Sequence, residues 1–304
     1  MEYYPKTMFE SEQCFATEES CRKYLYQMRW PDGFICPRCG YPKCWLMKDG
    51  LYRCSQCKYR VSVTAGTIFE DTRIPLRLWF RAIWQVVSQK HGISALGLQQ
   101  VLGLNRYETT WTLLHKLRVA MVRPGRDRLV GPVQVDETYI GGPRPGKRGR
   151  GAEGKTLVVI AVEDKGKHPG RIRLHKVKDA SGKSLVPAIK ESIETDSEIH
   201  TDGWDGYSQL SSAGYKHRII RKTADVGGNL LPLANLVASL LKRWLQGTHQ
   251  GSPRASHLDY YLDEFVFRFN RRTSRSRGLL FYRLIQQAVS IAPMKGKDIR
   301  SARN

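Results

Sequence analysis

The chain has 304 residues, enough for about two domains, and 41% of them are hydrophobic, which excludes a wholly disordered protein. Lysine and arginine number 50 against 28 aspartates and glutamates, and the net charge of +22 indicates a polyanionic partner, nucleic acid ahead of a membrane surface. There is no apolar run long enough for a membrane span, no signal-peptide pattern at the N-terminus, and the seven cysteines, crowded near the start, argue against a secreted disulfide framework.

The first predicted element is a metal site. Four of the seven cysteines form two Cys-x-x-Cys pairs that are separated by 14 residues: Cys36, Cys39, Cys54 and Cys57. Two thiolates at this spacing reach one ion, and two pairs complete the tetrahedral site of a zinc ribbon. The alternative, a redox pair or two unrelated matches, lacks the βαβ context that redox pairs have. Cys14, Cys21 and Cys44 have no matching spacing and are expected to be ordinary thiols.

A helical section follows the ribbon. Pro75 suits the start of one helix, and Ser94 and Asn105 can cap two more, with Gly103 making the turn between them. A short helix, a glycine turn and a longer helix are typical of a helix-turn-helix, whose last helix enters the major groove. Four residues near the start of that helix would then face DNA: Arg106, Tyr107, Glu108 and Thr110. The alternative is a three-helix connector without groove contacts.

From about residue 129 the pattern alternates between strands and helices. Strands are predicted at 133–140, 157–162, 172–177, 198–201 and 216–220, and helices at 181–193, 207–212, 233–245 and 257–271. This order predicts an α/β fold with a mixed sheet and helices packed on it. The loop 141–155 is rich in glycine and carries basic residues that are either a solvated hairpin tip or contacts to phosphate: Arg144, Lys147, Arg148 and Arg150. The tail after Met294 is predicted to be disordered.

Two acids in this section are candidate metal ligands. Asp136 lies within an apolar strand, where a carboxylate is costly to bury unless it binds something. Asp202 follows a short strand and precedes Gly203, a position typical of functional loops. Two carboxylates on adjacent strands of so basic a protein indicate a divalent ion that grips phosphate. Their oxygen ligands would suit Mg²⁺.

The helix predicted at 233–245 offers polar groups beside an apolar face. Asn235 and Lys242 are seven residues apart, which is two turns, so they share one side of the helix. Lys242 and the following Arg243 are predicted to contact DNA. Taken alone, Asn235 could equally be a helix cap or a solvated side chain.

The chain resembles the DDE-type transposases of bacterial insertion sequences, in the subgroup with an N-terminal zinc ribbon. The segments that carry the resemblance span nearly the whole chain: WPDGFICPRCG (30–40), VDETYIGG (135–142), HTDGWDGY (200–207), LVASLLKRWLQGTHQG (236–251) and YLDEFVFRFNRR (261–272). The resemblance implies a ribonuclease H-like catalytic fold, and it divides the chain into a lead (1–29), a zinc ribbon (30–66), a helical DNA-binding section (67–128), a catalytic domain (129–275) and a C-terminal extension with a basic tail (276–304).

The resemblance also implies the roles of single residues. Asp136 and Asp202 take the first two metal positions, Asn235 takes the third, and Lys242 is the basic residue two turns on. The third position is Glu in many relatives, while others of this subgroup have Asn or His. Asn235 therefore implies weaker Mg²⁺ binding, partly compensated by Glu137 or Asp205. The alternative third acids are on the last predicted helix: Asp263 and Glu264.

The implied reaction is cleavage of the element's ends and transfer of the freed 3′-hydroxyls to target DNA, with Mg²⁺ or Mn²⁺ at the catalytic site and Zn²⁺ in the ribbon. The expected partners are double-stranded DNA, as terminal inverted repeats and target, and a second copy of the chain in a homodimer or larger complex. The expected location is the bacterial cytoplasm, at the nucleoid. Two alternatives are a catalytically inactive zinc-ribbon regulator that binds DNA and a nuclease without strand transfer.

Overall fold

The structure is a computed structural model of the chain. It describes residues 3–142, 154–221, 229–251 and 253–301. Two compact units are present: the first contains Met1–Arg123 together with Ser274–Ala302, and the second is formed by Pro124–Thr273.

Helices and strands alternate along the described residues. The α-helices are α1 (Met8–Cys14), α2 (Glu18–Arg29), α3 (Leu76–Ser88), α4 (Ala95–Leu102), α5 (Tyr107–Ala120), α6 (Gly182–Ser192), α7 (Pro232–His249), α8 (Leu258–Asn270), α9 (Arg277–Ala288) and α10 (Gly296–Ser301). The β-strands are β1 (Cys44–Leu46), β2 (Tyr52–Cys54), β3 (Arg60–Val61), β4 (Pro132–Ile140), β5 (Thr156–Asp164), β6 (Pro169–Val177), β7 (Glu198–Thr201) and β8 (Lys216–Ile219).

The first unit begins with two helices and a small antiparallel sheet of order β1-β2-β3. The helices α1 and α2 and the strand β1 were not predicted from the sequence. The inner side of this sheet carries Tyr52, whose ring lies 4.8 Å from that of Tyr26 and 5.7 Å from that of Trp30. Both of those residues belong to the end of α2, so the ribbon sheet packs on that helix.

Helix α3 is the centre of the first unit's core, with eight of its 13 residues buried. It starts directly after Pro75, as predicted, and the Glu18 carboxylate accepts hydrogen bonds from the backbone N–H groups of Leu76 and Arg77 at 2.9 and 3.0 Å. The rings of Phe80 and Phe281 lie 5.8 Å apart, which places α9 against α3. The C-terminal residues therefore complete the core of the N-terminal unit.

Helices α4 and α5 have the predicted helix-turn-helix pattern. The Ser94 hydroxyl accepts from the Gly97 N–H at 3.0 Å, and Gly103 ends α4 with φ +64°, a conformation that favours glycine. The predicted cap of α5 is one residue too early: Arg106 and not Asn105 occupies the N-cap, without a side-chain capping bond.

The second unit contains a five-stranded mixed sheet of order β6-β5-β4-β7-β8. Strands β4, β5 and β6 pair antiparallel, while β4, β7 and β8 pair parallel. Three antiparallel strands followed by helix-linked parallel strands form the predicted mixed α/β sheet, and this confirms the ribonuclease H-like fold class. The parallel pairs are what bring distant segments together at the carboxyl ends of β4 and β7.

The two faces of this sheet are covered by different helices. One face packs Val158, Ile160 and Ile172 against α7 and α8. The other packs Val133 and Val135 against α6 and the segment after β7. Alternate residues of β4 thus serve two separate cores, and this decides the direction of every side chain at the candidate site.

Two predictions of secondary structure are wrong. The segment predicted as a helix at 207–212 is a single 3₁₀ turn, Asp205–Tyr207, followed by further turns, because it is short and bounded by glycines at 203, 206 and 214. The tail predicted to be disordered forms α10, in which Ile299 is fully buried. A short basic segment can be ordered by a single apolar side chain.

Candidate active site and zinc centre

The four predicted zinc ligands lie together. The ligand atoms of Cys36, Cys39, Cys54 and Cys57 are all within 4.8 Å of one another. The Sγ atoms of Cys36 and Cys57 are 3.6 Å apart, and those of Cys39 and Cys54 are 3.7 Å apart. A tetrahedron with zinc–sulfur bonds of about 2.3 Å has edges of about 3.8 Å. Four thiols in this arrangement fit Zn²⁺.

The backbone of both cysteine pairs repeats one turn. Gly40 and Lys58 each follow the second cysteine of a pair, both have positive φ, of +74° and +58°, and each donates its N–H to the carbonyl of the pair's first cysteine. Burial raises the pKa of the Cys54 thiol, but the backbone N–H groups of Cys57 and Gln56, together with hydrogen bonds to the Cys39 and Cys57 thiols, lower it to about 7. The turn therefore favours a thiolate at Cys54, the form that binds metal.

The remaining thiols stay outside this cluster. Cys21 is fully buried and its pKa is raised to about 12, chiefly by that burial, so it is inert in the core. Cys14 and Cys44 are half-buried and unbridged. Cys44 is the nearest competitor for the metal, since it pairs directly with Cys54 across β1 and β2.

The parallel pairing of β4 with β7 predicts that Asp136, in the middle of β4, and Asp202, directly after β7, lie side by side. Each paired residue of β7 lies 66 positions after its partner in β4, as in Gln134 and His200. Asp202 lies likewise 66 positions after Asp136, two residues beyond that last pair. Two steps along a strand return to the same face. The two carboxylates therefore occupy neighbouring positions on the face of the sheet that carries Gln134.

That face is the one crossed by the start of α7. The Gln134 side-chain oxygen accepts hydrogen bonds from the backbone N–H groups of Leu233 and Ala234, at 3.0 and 3.4 Å. These N–H groups belong to the first turn of α7, where backbone donors have no partner within the helix. Gln134, two positions before Asp136 in β4, thereby anchors the start of α7. Asn235 is the residue directly after the two whose N–H groups it holds.

Asn235 and Lys242 are both exposed on α7. The Asn235 amide nitrogen donates to the Asn229 side-chain oxygen at 2.7 Å, so the amide would coordinate an ion through Oδ1. Partial burial and the charge of Lys155 lower the pKa of Lys242, although the Asp136 carboxylate acts to raise it. Lys242 is thus close enough to Asp136 for their charges to interact.

Glu137, which was predicted to compensate partly for the missing third charge, faces the other side of the sheet from Asp136. It is the neighbour of Asp136 in β4, so it points to the opposite face, where it accepts a hydrogen bond of 2.6 Å from the Tyr207 hydroxyl. Tyr207 is fully buried, and its pKa is raised by that burial and by the Glu137 carboxylate, so the phenol stays protonated and donates. The charges of Asp136 and Asp202 contribute to the same shift.

The segment from Asp202 to Tyr207 is held at several points. The Asp202 carboxylate accepts from the Trp204 backbone N–H at 3.0 Å, and the Trp204 indole N–H donates to the Ala180 carbonyl at 2.7 Å. Gly203 has φ +84°, and a Cβ added at Gly206 would lie 2.3 Å from the Ala180 oxygen. Both glycines are therefore required by backbone conformation and close packing. Asp205 is exposed on this segment.

The alternative third acids have other partners. Glu264 is almost fully buried on α8, and its carboxylate accepts from the Arg268 guanidinium at 2.7 Å. Burial raises the pKa of Asp263 to about 7, while Arg126 lowers it and Asp259 raises it. Glu264 is thus paired with Arg268, and the charges that act on Asp263 are those of Arg126 and Asp259.

The residues predicted to contact DNA differ in their exposure to solvent. Arg106, Tyr107 and Glu108 are exposed at the start of α5, and Arg243 is exposed on α7. Thr110 is fully buried, so its predicted contact with DNA is wrong: one turn into α5 the helix has rotated toward the core. The four basic residues predicted in the glycine-rich loop fall outside the described residues: Arg144, Lys147, Arg148 and Arg150.

The second unit and the ribbon each match a domain family of transposases. The family described as ISXO2-like transposase domain matches residues 128–270, and the family described as transposase zinc-ribbon domain matches residues 16–60. A protein of Halobacterium salinarum described as "Uncharacterized protein in transposable element ISH50" is 26% identical over 279 residues, which cover 84% of this chain and 91% of that protein. These matches confirm the resemblance to insertion-sequence transposases with a zinc ribbon. Among the described helices, none has the length and apolar character to cross a membrane.

Proposed function

We propose that this transposase cuts the ends of its insertion sequence with a divalent metal ion and joins the freed 3′-hydroxyls to target DNA. The observation that carries the proposal is the parallel pairing of β4 with β7, whose register, continued by two residues beyond Gln134 and His200, would set Asp202 beside Asp136. The donor set fits the metal, because two carboxylates and an amide oxygen are the hard oxygen ligands that Mg²⁺ and Mn²⁺ prefer. When bound, such an ion supplies charge stabilisation and activates an attacking oxygen.

The chain's own groups would have distinct roles. Asp136 and Asp202 hold the metal position, Asn235 completes it through Oδ1, and Lys242 pairs with a phosphate oxygen beside it. Net positive charge concentrates DNA at the surface, and Arg243 is exposed next to Lys242 for a further backbone contact. We propose that the zinc ribbon and the start of α5, with Arg106 and Tyr107, hold the terminal inverted repeats.

The test is a reaction of the purified protein with a labelled duplex that carries the DNA flanking its gene. We expect cleavage at the element end in Mg²⁺ or Mn²⁺ and products joined to a second duplex. Cleavage without joined products would indicate a nuclease, and binding without cleavage would indicate a DNA-binding regulator. Sedimentation of the DNA complex tests the proposed pairing of two ends by two or more protomers.

Replacing Asn235 by alanine is expected to reduce cleavage about tenfold at limiting Mg²⁺ and to raise the Mg²⁺ concentration needed for half of the maximal rate. Asn235 attracts the ion less than a Glu would, because an amide is a dipole and a carboxylate carries a full charge. Two unit charges 4 Å apart attract each other by about 4 kcal/mol at an effective dielectric of 20, and desolvation of the carboxylate partly offsets this attraction. Asn235→Glu should bind Mg²⁺ more tightly but turn over more slowly, because Glu can pair with Lys242. Calorimetric Mg²⁺ titration measures binding independently of cleavage.

The control for Asn235→Ala is Leu236→Ala, which changes an exposed neighbour about 100° round the helix and should behave as the parent. The opposing variant is Glu264→Gln, which can keep a hydrogen bond to Arg268. If Asn235→Ala matched the parent at every Mg²⁺ concentration while a stably folded Glu264→Gln protein was inactive, the third ligand would lie on α8.

Replacing Tyr207 by phenylalanine is expected to weaken Mg²⁺ binding and cleavage about tenfold, the low end of the range for residues that orient metal ligands. The lost hydroxyl ties the segment after β7 to Glu137 and so fixes Asp202 relative to Asp136. Tyr215→Phe is the matched control. Tyr215 belongs to the same core and donates to the Ile193 carbonyl at 3.1 Å. Equal losses of cleavage in both variants would assign Tyr207 to stability alone.

A further inference from the structure

The zinc-ribbon sheet has an outer face of unusual composition. Its pairing places Trp45 opposite Arg53 and Arg53 opposite Arg60, in one row across the three strands. Directly paired residues project to the same face of a sheet. Trp45, Arg53 and Arg60 therefore form a single row, which we name the outer row.

The adjacent row points the other way. Leu46 pairs with Tyr52, and Tyr52 pairs with Val61. Val61 is buried, and the Tyr52 ring packs on Tyr26 and Trp30 of the α2 end. At Tyr52 and Val61 this side of the sheet is thus covered by the first unit's own residues, whereas Leu46 at its edge is 66% exposed. The outer row is turned away from that core.

An exposed tryptophan in such a position requires a reason. The Trp45 side chain is 52% exposed, with the Lys58 ammonium 4.9 Å from its ring centroid, while the Arg38 guanidinium lies 6.0 Å from the centroid of Tyr59. Between residues 34 and 61 the sequence has six basic residues and one acid, Asp49, which pairs with Arg60. The ribbon remains cationic even after the two net negative charges of a zinc tetrathiolate are counted.

We propose that the outer row is a nucleic-acid contact surface, on which Trp45 stacks against a base while Arg53, Arg60 and Lys58 pair with the flanking phosphates. The proposal rests on the proposed function in taking DNA as the partner. An aromatic platform bordered by cations is the arrangement that holds single-stranded DNA, because every base has a face for stacking.

The occupant is DNA with accessible base faces, as at an opened or single-stranded end. A side chain on a flat sheet face cannot stack on a base inside an intact duplex, where both faces of the base are covered. The surface therefore distinguishes opened DNA from intact duplex, a property separate from the groove contacts proposed for α5.

The experiment measures binding of the full, zinc-loaded chain without Mg²⁺ to a labelled 20-nucleotide single strand and to a blunt duplex of the same sequence. Trp45→Ala is expected to weaken binding of the single strand about tenfold or more and that of the duplex much less, with an unchanged salt dependence. Arg53→Gln should weaken binding to both probes and lower the slope of log affinity against log salt by about one.

Leu46→Ala is the matched control, because Leu46 is the next residue of β1, is 66% exposed and lies in the opposite row. Zinc content verifies that each variant keeps its ribbon. Parent-like binding of Trp45→Ala to the single strand would overturn the proposal, as would equal losses in Trp45→Ala and Leu46→Ala. A Trp45→Ala protein altered in oligomeric state but not in DNA binding would assign the row to a protein interface. A parent chain that bound neither probe would overturn the proposed function as well.

Discussion

Replacing Asp136 or Asp202 by asparagine is expected to abolish cleavage, with a loss of at least about 10³-fold for either variant. The substitution keeps the shape of the side chain and removes one of the two negative charges that face the metal position. A bound metal contributes several kcal/mol of charge stabilisation to phosphoryl transfer, and each 1.36 kcal/mol corresponds to a tenfold change in rate. DNA binding should be retained or slightly strengthened, since an anionic group is removed from a cationic surface.

The control for these variants is Asp196→Asn. Asp196 lies before the start of β7, whereas Asp202 lies after its end, so the same chemical change is made at the other end of one strand. Its backbone has φ +63°, a conformation that asparagine adopts readily, and the variant should fold and cleave as the parent does. A well-folded Asp136→Asn protein that cleaved within tenfold of the parent rate would remove Asp136 from the metal position.

The zinc site was predictable because its geometry is local. Two thiols separated by two residues must share one turn. A short sheet joins the two turns and leaves few other arrangements in which they could meet. At the first pair, Gly40 by itself predicts a turn with positive φ. At the second pair Lys58 adopts the same conformation, which a lysine does not predict.

The pairing of Asp136 with Asp202 required more than local pattern. The sequence shows that Asp136 and Asp202 are 66 residues apart. This spacing indicates that they are neighbours only once β4 and β7 are known to pair in parallel with the same offset. Periodicity predicts that strands exist and does not determine which strands pair, because pairing is decided by burial of whole faces. The residues themselves favoured one divalent ion between the two acids, and the resemblance to known transposases assigned the acids to the first two metal positions.

Several side-chain directions were missed for identifiable reasons. Alternation along a strand already implied that Glu137 could not face the same way as Asp136, and that Gln134 must. Gln134 was the signal that went unused: a polar residue two positions before Asp136, in a strand otherwise apolar there. Thr110 was wrongly predicted to face DNA. Only the side of α5 that the core leaves exposed can contact DNA, and Thr110 lies on the buried side.

Removal of zinc is expected to unfold the ribbon while the second unit keeps its thermal transition. The ribbon sheet has strands of only three, three and two residues, too few to fold without support. Structural zinc contributes about 10–16 kcal/mol in small zinc modules, more than so small a core can replace. Loss of the contact between Tyr52 and Trp30 should also loosen the end of α2. Limited proteolysis should then cut within 34–61 first, and binding to element ends should weaken.

The same result is expected without a chelator in Cys54→Ser, which removes one buried ligand and should lose zinc and protease protection together. Cys44→Ser is the matched control, since Cys44 pairs with Cys54 across the sheet but lies outside the four-sulfur group. It should retain one zinc per chain and parent-like protection, because the tetrahedral set is complete without it. If Cys44→Ser lost its zinc and Cys54→Ser retained it, Cys44 and not Cys54 would be the fourth zinc ligand. A Cys54→Ser ribbon that stayed protected without metal would show that its packing on α2, and not zinc, holds it folded.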